Sequence, residues 1–214
     1  MNALRILGGA GILACAVALG VAQQPPQPAA APEAKSQLAG VFGRLHNVLP
    51  PGQWQVSEYP WSPSMVIQAA ARFDVKGKQT EFVSSWEEGH ALEWAEQQQP
   101  YRQVRLGAAK FTDPRAARSY FGLAIELQRK LDQTLGASLL DAKSAPVKLQ
   151  GAEEAVRCDR VFRPVGNYPP HVTSTLLVRS KKMVLEFGWY GQPADVAWAE
   201  RLLPELLSAE KITK

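Results

Sequence analysis

The chain has 214 residues, of which 46% are hydrophobic and 21% are charged, with a formal net charge of +4. This globular composition excludes an intrinsically disordered chain, and the slight, scattered positive charge excludes a nucleic-acid-binding surface. Two cysteines exclude both a small domain held together by several disulfides and a four-thiolate zinc site.

A signal peptide is predicted over residues 1–22. Arg5 is followed by an uncharged, largely apolar run, Ile6–Ala22. The small residues Gly20 and Ala22 occupy the two positions that a signal peptidase recognises, so we expect cleavage after Ala22. The protein is therefore predicted to be exported to the periplasm or the extracellular space.

Two other forms of the N-terminus remain open, an uncleaved membrane anchor and a lipoprotein modified at Cys15. As a helix the apolar run would span roughly 26 Å, slightly less than the ~30 Å hydrocarbon core of a membrane. The sequence Leu13-Ala14-Cys15 loosely resembles a bacterial lipobox. Membrane association is expected only through such an uncleaved or lipidated N-terminus.

The rest of the chain is predicted to be a linker and one domain. Residues 23–36 are rich in Pro, Ala and Gln and contain no aromatic or branched apolar side chain, which is typical of a solvated spacer. Residues 37–214 have the length and composition of a single domain.

Apolar spacing predicts the elements of the first half of this domain. Leu38, Val41, Phe42 and Leu45 indicate an amphipathic helix, which ends before Pro50. The elements expected next are strands over Gln53–Glu58, Thr80–Ser85 and Gln103–Phe111 and a helix over Ala91–Gln99. The segment Met65–Val75 is ambiguous: it suits a strand, and its alanines also suit a helix that begins at Pro63.

A long helix opens the second half. Asp113 is a good N-terminal cap and Pro114 suits the first helical position, and one apolar face continues to Leu135 before Gly136. The elements expected after it are strands over Pro146–Leu149, Ala155–Phe162, Val172–Arg179 and Met183–Tyr190, and a closing helix from Gln192.

The order of these elements predicts an α+β domain with a mainly antiparallel sheet and helices packed on one face. In the last strand the alternation places four apolar residues on one side, and we expect this side to face the helices. They are Met183, Leu185, Phe187 and Trp189.

The C-terminal half carries a recognisable pattern. Gly151-Ala152-Glu153-Glu154-Ala155, then Thr175–Arg179, Met183–Phe187 and a closing helix follow a helix that contains Ala117 and Phe121. This pattern resembles bacterial extracytoplasmic sensor-like and lipoprotein domains, such as the PknH-type sensor domain and the PsbP/Mog1-like α+β group. The resemblance covers residues 105–209 and implies an exported, non-enzymatic domain with a cleft.

No arrangement of residues predicts catalysis, a metal site or a cofactor. The three histidines, His46, His90 and His171, lack the spacing of a helical metal site. Cys158 is expected to be a buried, structural residue. The carboxylates Glu87, Glu88 and Glu93 are expected to be solvated on the first turn of a helix.

Tryptophan is the most informative residue type, since the chain contains six. Trp86 and Trp189 lie at predicted strand ends beside turns, where α+β domains place ligands. They are therefore the predicted ligand-binding residues, on the two sides of one cleft.

We expect a non-catalytic binding or accessory protein of the bacterial cell envelope. Its partner would be an envelope component, another protein or a small apolar ligand. Two alternatives stay open: an envelope hydrolase that uses the carboxylates or Cys158, and a purely structural envelope subunit.

Processing of the N-terminus can be tested directly. Because the small residues precede Gln23, N-terminal sequencing of the protein from its native envelope is expected to begin at Gln23. A chain that begins at Met1, or at a lipidated Cys15, would instead establish membrane tethering.

Overall fold

The computed structural model describes Leu38, Phe42 and residues 54–75, 81–96, 102–164 and 170–191. The predicted signal peptide, the linker, most of the first helix and the closing helix lie outside these residues. Within them, no helix is long and apolar enough to cross a membrane.

The described residues form one antiparallel sheet of seven strands with the spatial order β1-β2-β3-β7-β6-β5-β4. The strands are β1 (Trp54–Pro60), β2 (Trp86–Glu96), β3 (Gln103–Phe111), β4 (Leu139–Pro146), β5 (Glu154–Phe162), β6 (Val172–Ser180) and β7 (Met183–Gly191). Helix α1 (Pro63–Arg72) lies between β1 and β2 in the chain, and α2 (Pro114–Leu135) lies between β3 and β4. The α+β class is thus confirmed, although helices are few.

Helix α2 covers one face of the sheet. Its N-terminus is capped by Asp113, whose Oδ1 accepts a hydrogen bond of 2.8 Å from the backbone N–H of Arg115. Its apolar side packs on the sheet together with α1, through Val66 and Ala70. The buried residues of α2 are Ala116, Ala117, Tyr120, Phe121, Leu123, Ala124, Leu127, Gln128 and Leu131.

The opposite face is covered as well. Leu38 and Phe42 are helical, and both are buried with Leu185 and Phe187 in a second apolar cluster. The Phe42 ring meets the His90 ring edge-on, with 5.0 Å between centroids. The prediction that helices pack on one face only is therefore corrected, and Leu185 and Phe187 face away from α2.

The predicted helix over Ala91–Gln99 is wrong in its described part, because residues 91–96 are extended and belong to strand β2. Ala, Glu and Gln are good helix formers, which is why this segment was expected to form a helix. Its backbone instead pairs with β1 on one side and β3 on the other, with Leu92 opposite Leu106. Packing within the sheet overrides the local preference.

Two other strand predictions are also corrected. Strand β4 spans Leu139–Pro146 and not Pro146–Leu149; it is an edge strand, exposed over most of its length, so it lacks an apolar alternation. Val83–Ser85 form a turn of 3₁₀ helix and not a strand.

The remaining elements agree with the sequence. Helix α2 and β3 have the predicted bounds, and β1, β5, β6 and β7 overlap their predictions almost completely. The ambiguous segment forms the helix that begins at Pro63.

Gly107 on β3 gives a test of the packing between the sheet and Trp61, which lies between β1 and α1. An added Cβ would overlap the indole ring of Trp61, coming within 2.7 Å of Cε3 and 2.9 Å of Cη2. Gly107→Ala is therefore expected to lower the free energy of unfolding by about 1–3 kcal/mol in urea denaturation.

Gly122→Ala is the matched control, because nothing lies within 4 Å of an added Cβ at this position in α2. It should stabilise the protein by about 0.5–1 kcal/mol. Equal effects of the two substitutions would contradict the packing described for Trp61.

Candidate functional site

The two predicted ligand-binding tryptophans lie in different parts of the molecule. Trp86 is half-buried at the start of β2, in the cluster beneath α2, where its ring contacts Trp61 and Tyr120. Trp189 is 1% exposed and lies in the cluster on the opposite face.

The strand register also separates them along the sheet. Trp86 pairs with Phe111 at the end of β3, whereas Trp189 pairs with Val104 near its start. At ~3.3 Å per residue these two positions on β3 are roughly 23 Å apart. The two tryptophans therefore do not border one cleft, and a ligand-binding role for either of them stays a prediction.

A cavity between α1, α2 and the sheet brings together the polar side chains of greatest interest. We call it the Arg105 cavity. It has room for about one water molecule. Its walls are formed by Trp61, Val66, Ala69, Arg105, Tyr120, Ala124, Leu127 and Glu186.

Arg105 is the unusual member of this group. Its side chain comes from β3, which lies between β2 and β7, and the residue is only 3% exposed. Its guanidinium carbon Cζ lies over the Trp61 ring, 5.1 Å from the centroid. Among the described residues, Nε and Nη2 of Arg105 have no hydrogen-bond partner, and neither has the buried Nε1 of Trp61.

Tyr120 and Glu186 form the acidic side of the cavity. The Tyr120 hydroxyl donates a hydrogen bond of 2.8 Å to Oε1 of Glu186. Burial raises the pKa of the Glu186 carboxyl, while the nearby charge of Arg105 and the hydrogen bond from Tyr120 partly oppose that shift. Burial, reinforced by Glu186, also raises the pKa of Tyr120 well above its ordinary value, so the phenol stays protonated.

A second group of buried polar atoms lies farther along the same face of the sheet. Arg160 on β5 donates from Nε to Asp132 and from Nη2 to the side chain of Gln128. Thr173 is opposite Arg160 in the register, and both its hydroxyl and that of Thr175 lack a partner within the described part of the chain. This group shares α2 with the Arg105 cavity.

The residues of the hydrolase alternative do not converge. Cys158 is buried, as predicted, and burial raises the pKa of its thiol. His171 stacks on Phe162, four residues along β5 from Cys158. Glu87 pairs with Lys110 near the start of β2.

The other two carboxylates of that alternative are engaged elsewhere on β2. Glu88 accepts a hydrogen bond from the backbone N–H of Leu38, and Glu93 accepts one from the side chain of Gln103. All three glutamates therefore lie on a strand, not on the first turn of a helix as predicted.

The sequence analysis did not single out Arg105 or Glu186 as site residues. The signal that identifies them is a charged residue within an apolar strand: Arg105 interrupts the run VRLGAA and Glu186 the run VLEFGW. Charged side chains are rarely fully buried without a structural or functional reason. Tyr120 and Trp61 carry no such signal, because aromatic residues are common in cores.

The buried carboxyl gives a prediction about pH. Folding favours the protonated form of Glu186, because its pKa is raised above the ordinary value of 4.5. Its contribution to stability is thus complete below that value and is lost as the pH rises through the folded-state pKa. Glu186→Gln removes this loss, so the stability of the variant relative to wild type should increase as the pH rises above 4.5.

Urea denaturation at a series of pH values measures this difference. Glu87→Gln, which removes an exposed carboxylate from the same sheet, is the control for a general effect of charge. A difference between Glu186→Gln and wild type that is independent of pH would contradict the burial of Glu186 as an acid.

Neither a protein-family model nor a curated protein matches the chain. Among solved structures, it is similar to the crystal structure of the extracellular domain of PknH from Mycobacterium tuberculosis, with a TM-score of 0.46 and 10% sequence identity. The similarity covers 86% of this chain and 98% of that chain. The likeness is distant, and no residue of the site is assigned by it.

Proposed function

We propose that the chain is an exported, non-catalytic binding protein of the bacterial cell envelope, and that its ligand binds in the Arg105 cavity. The observation that carries this proposal is the buried Arg105 guanidinium, whose Nε and Nη2 have no partner in the described part of the chain. A buried charge is costly unless it is paired or hydrogen-bonded. A ligand that accepts these hydrogen bonds would supply the missing compensation.

The composition of the cavity supports binding. Its polar groups come from β3, β7 and α2, and its apolar groups come from α1, α2 and Trp61, which lies between β1 and α1. An apolar pocket in which a few polar groups converge is the usual form of a small-molecule site. The ligand we infer is therefore small, with one polar end and one apolar end.

The chemistry of the cavity favours binding over catalysis. A guanidinium has hydrogen-bond donors and no acceptor, and the raised pKa of Tyr120 keeps its phenol protonated, so neither group acts as a base at neutral pH. Glu186 is the one acid–base candidate among the cavity residues, and its carboxyl is held by the hydrogen bond from Tyr120.

The location in the envelope is supported by the N-terminal sequence. The apolar run Ile6–Ala22 has the composition of a signal peptide, and residues 23–36 have the composition of a spacer, as would be needed if the N-terminus is retained or lipidated. No observation on the described residues favours the hydrolase or the purely structural subunit.

Filling the cavity tests the proposal. Ala69 of α1 lines the cavity, and Ala69→Leu would occupy the space that a ligand needs. Wild-type protein incubated with a small-molecule extract of its own envelope should retain a ligand in mass spectrometry under non-denaturing conditions. We expect Ala69→Leu to lose at least about nine-tenths of that signal, because overpacking excludes the ligand.

Gln68→Leu is the matched control, because it places the same side chain on the exposed side of the same helix turn. It should retain the ligand as wild type does. Equal retention by Ala69→Leu, or no retained ligand in any of the three proteins, would show that the cavity is not a binding site.

A further inference from the structure

We infer that the ligand of the Arg105 cavity is a small monocarboxylate with a short aliphatic tail, held side-on by Nε and Nη2 of Arg105. This inference rests on the proposed function and specifies the chemical class of its ligand. Three observations support it. Two atoms of Arg105 lack a hydrogen-bond partner, the other buried arginines of the described residues are paired with carboxylates, and apolar side chains line the cavity beside Arg105.

The unpartnered atoms form one edge of the guanidinium. The N–H bonds of Nε and Nη2 are nearly parallel, and this edge matches the spacing of the two oxygens of a carboxylate. A spherical anion or a single hydroxyl oxygen would have to accept from both donors at once, through bent and therefore weaker hydrogen bonds. The edge of Arg105 thus favours a planar, two-oxygen acceptor.

In the same protein, the corresponding edge of another arginine is bound to a carboxylate. Arg102, three residues before Arg105, donates from Nε to Oε2 of Glu96 at 2.6 Å and from Nη2 to Oε1 at 2.7 Å. At Arg102, this edge is therefore bound to a carboxylate of the chain itself. At Arg105, we assign the same position to the carboxylate of the ligand.

The other two buried arginines are also paired with carboxylates. Arg160 donates from Nε to Asp132, and Arg179 donates from Nε to Glu154 and from Nη1 to Glu153. Arg105, by contrast, makes no ion pair with any described carboxylate, and the nearby Glu186 accepts its hydrogen bond from Tyr120. The chain thus pairs its other buried arginines directly with carboxylates, whereas Glu186 interacts with Arg105 through its charge and leaves Nε and Nη2 without a hydrogen bond among the described residues.

The rest of the cavity suits the remainder of such a ligand. The indole Nε1–H of Trp61 is a further unpartnered donor among the cavity residues. Val66, Ala69 and Leu127 provide an apolar wall for a short aliphatic tail. The present space holds about one water molecule, so even acetate binds only if the lining side chains move apart, and a longer or branched tail would need a larger displacement.

Glu186 makes this binding depend on pH. The titratable groups that face it within the described residues are Arg105 from β3 and Tyr120 from α2, and α1 contributes only apolar side chains to the cavity. A neutral Glu186 does not repel a bound carboxylate, whereas an ionised Glu186 would repel it and compete for Arg105. Affinity should therefore fall as the pH rises through the Glu186 pKa.

The test is titration of the full mature chain with acetate, followed by the melting temperature and by NMR of ¹³C-methyl acetate. We expect a saturable rise in melting temperature and contacts from the acetate methyl to Val66 and Leu127. Arg105→Lys keeps the charge but loses the paired edge, so it should weaken acetate binding about tenfold or more. Arg179→Lys is the matched control, as an equally buried arginine already paired with glutamates, and it should bind acetate as wild type does.

Each other outcome has a defined meaning. Equal responses to acetate and to chloride at matched ionic strength would overturn the carboxylate class. An unchanged affinity in Arg105→Lys, or an equal loss in Arg179→Lys, would overturn the assignment to Arg105. If Arg105→Lys does not fold, the contacts between acetate and Val66 in wild type decide the question, and their absence overturns the inference.

The failure of this inference is distinguishable from that of the proposed function. If wild type binds no carboxylate but Ala69→Leu still abolishes retention of a ligand from the envelope extract, the cavity is a binding site for another chemical class. If neither experiment detects a ligand, both the inference and the proposed function are wrong.

Discussion

A guanidinium buried in the middle of a sheet is the constraint on which the rest of this structure depends. Arg105 lies on β3, and both faces of the sheet at that point are covered by helical residues. The charge of Arg105 loses most of its hydration there. Two neighbours replace part of that hydration, namely the Trp61 ring beneath the guanidinium and the nearby Glu186 carboxyl. The cost of burying the edge that carries Nε and Nη2 is left uncompensated by the described residues. Helix α1, Tyr120 and Glu186 all line the cavity beside Arg105.

Most of the fold could be predicted because its strongest signals are local. Asp113 and Pro114 determine where α2 begins, and β3 and β7 are recognisable as nearly continuous apolar runs because they are buried on both faces. Strand β2 was missed because its composition favours a helix, and the alternation of His90, Leu92 and Trp94 on one face was the competing signal. Edge strand β4 gave no signal at all, since one face of an edge strand can be wholly solvated.

The candidate site could be predicted only in part, because it depends on contacts between distant segments. Tyr120 and Glu186 are separated by 66 positions in the chain, and no periodicity relates them. Tryptophans at strand ends were a reasonable choice, yet the register places Trp86 and Trp189 on opposite faces and near opposite ends of the sheet. Trp61, which was not chosen, is the tryptophan that lines the cavity. A charged residue inside an apolar alternation was the better indicator, and it needs no knowledge of the topology.

Stability alone does not explain why an arginine occupies this position. Replacement of buried ionic groups by apolar residues of similar volume is often neutral or stabilising. Arg160 and Arg179 connect different elements through carboxylates, so each has a structural use. Arg105 connects nothing through its Nε and Nη2 among the described residues, and a methionine there would fill similar space beside Trp61 without a desolvated charge. Binding sites commonly retain groups that are unfavourable for folding but favourable for the ligand. By this comparison Arg105 is the arginine of the three whose presence is best explained by what it binds.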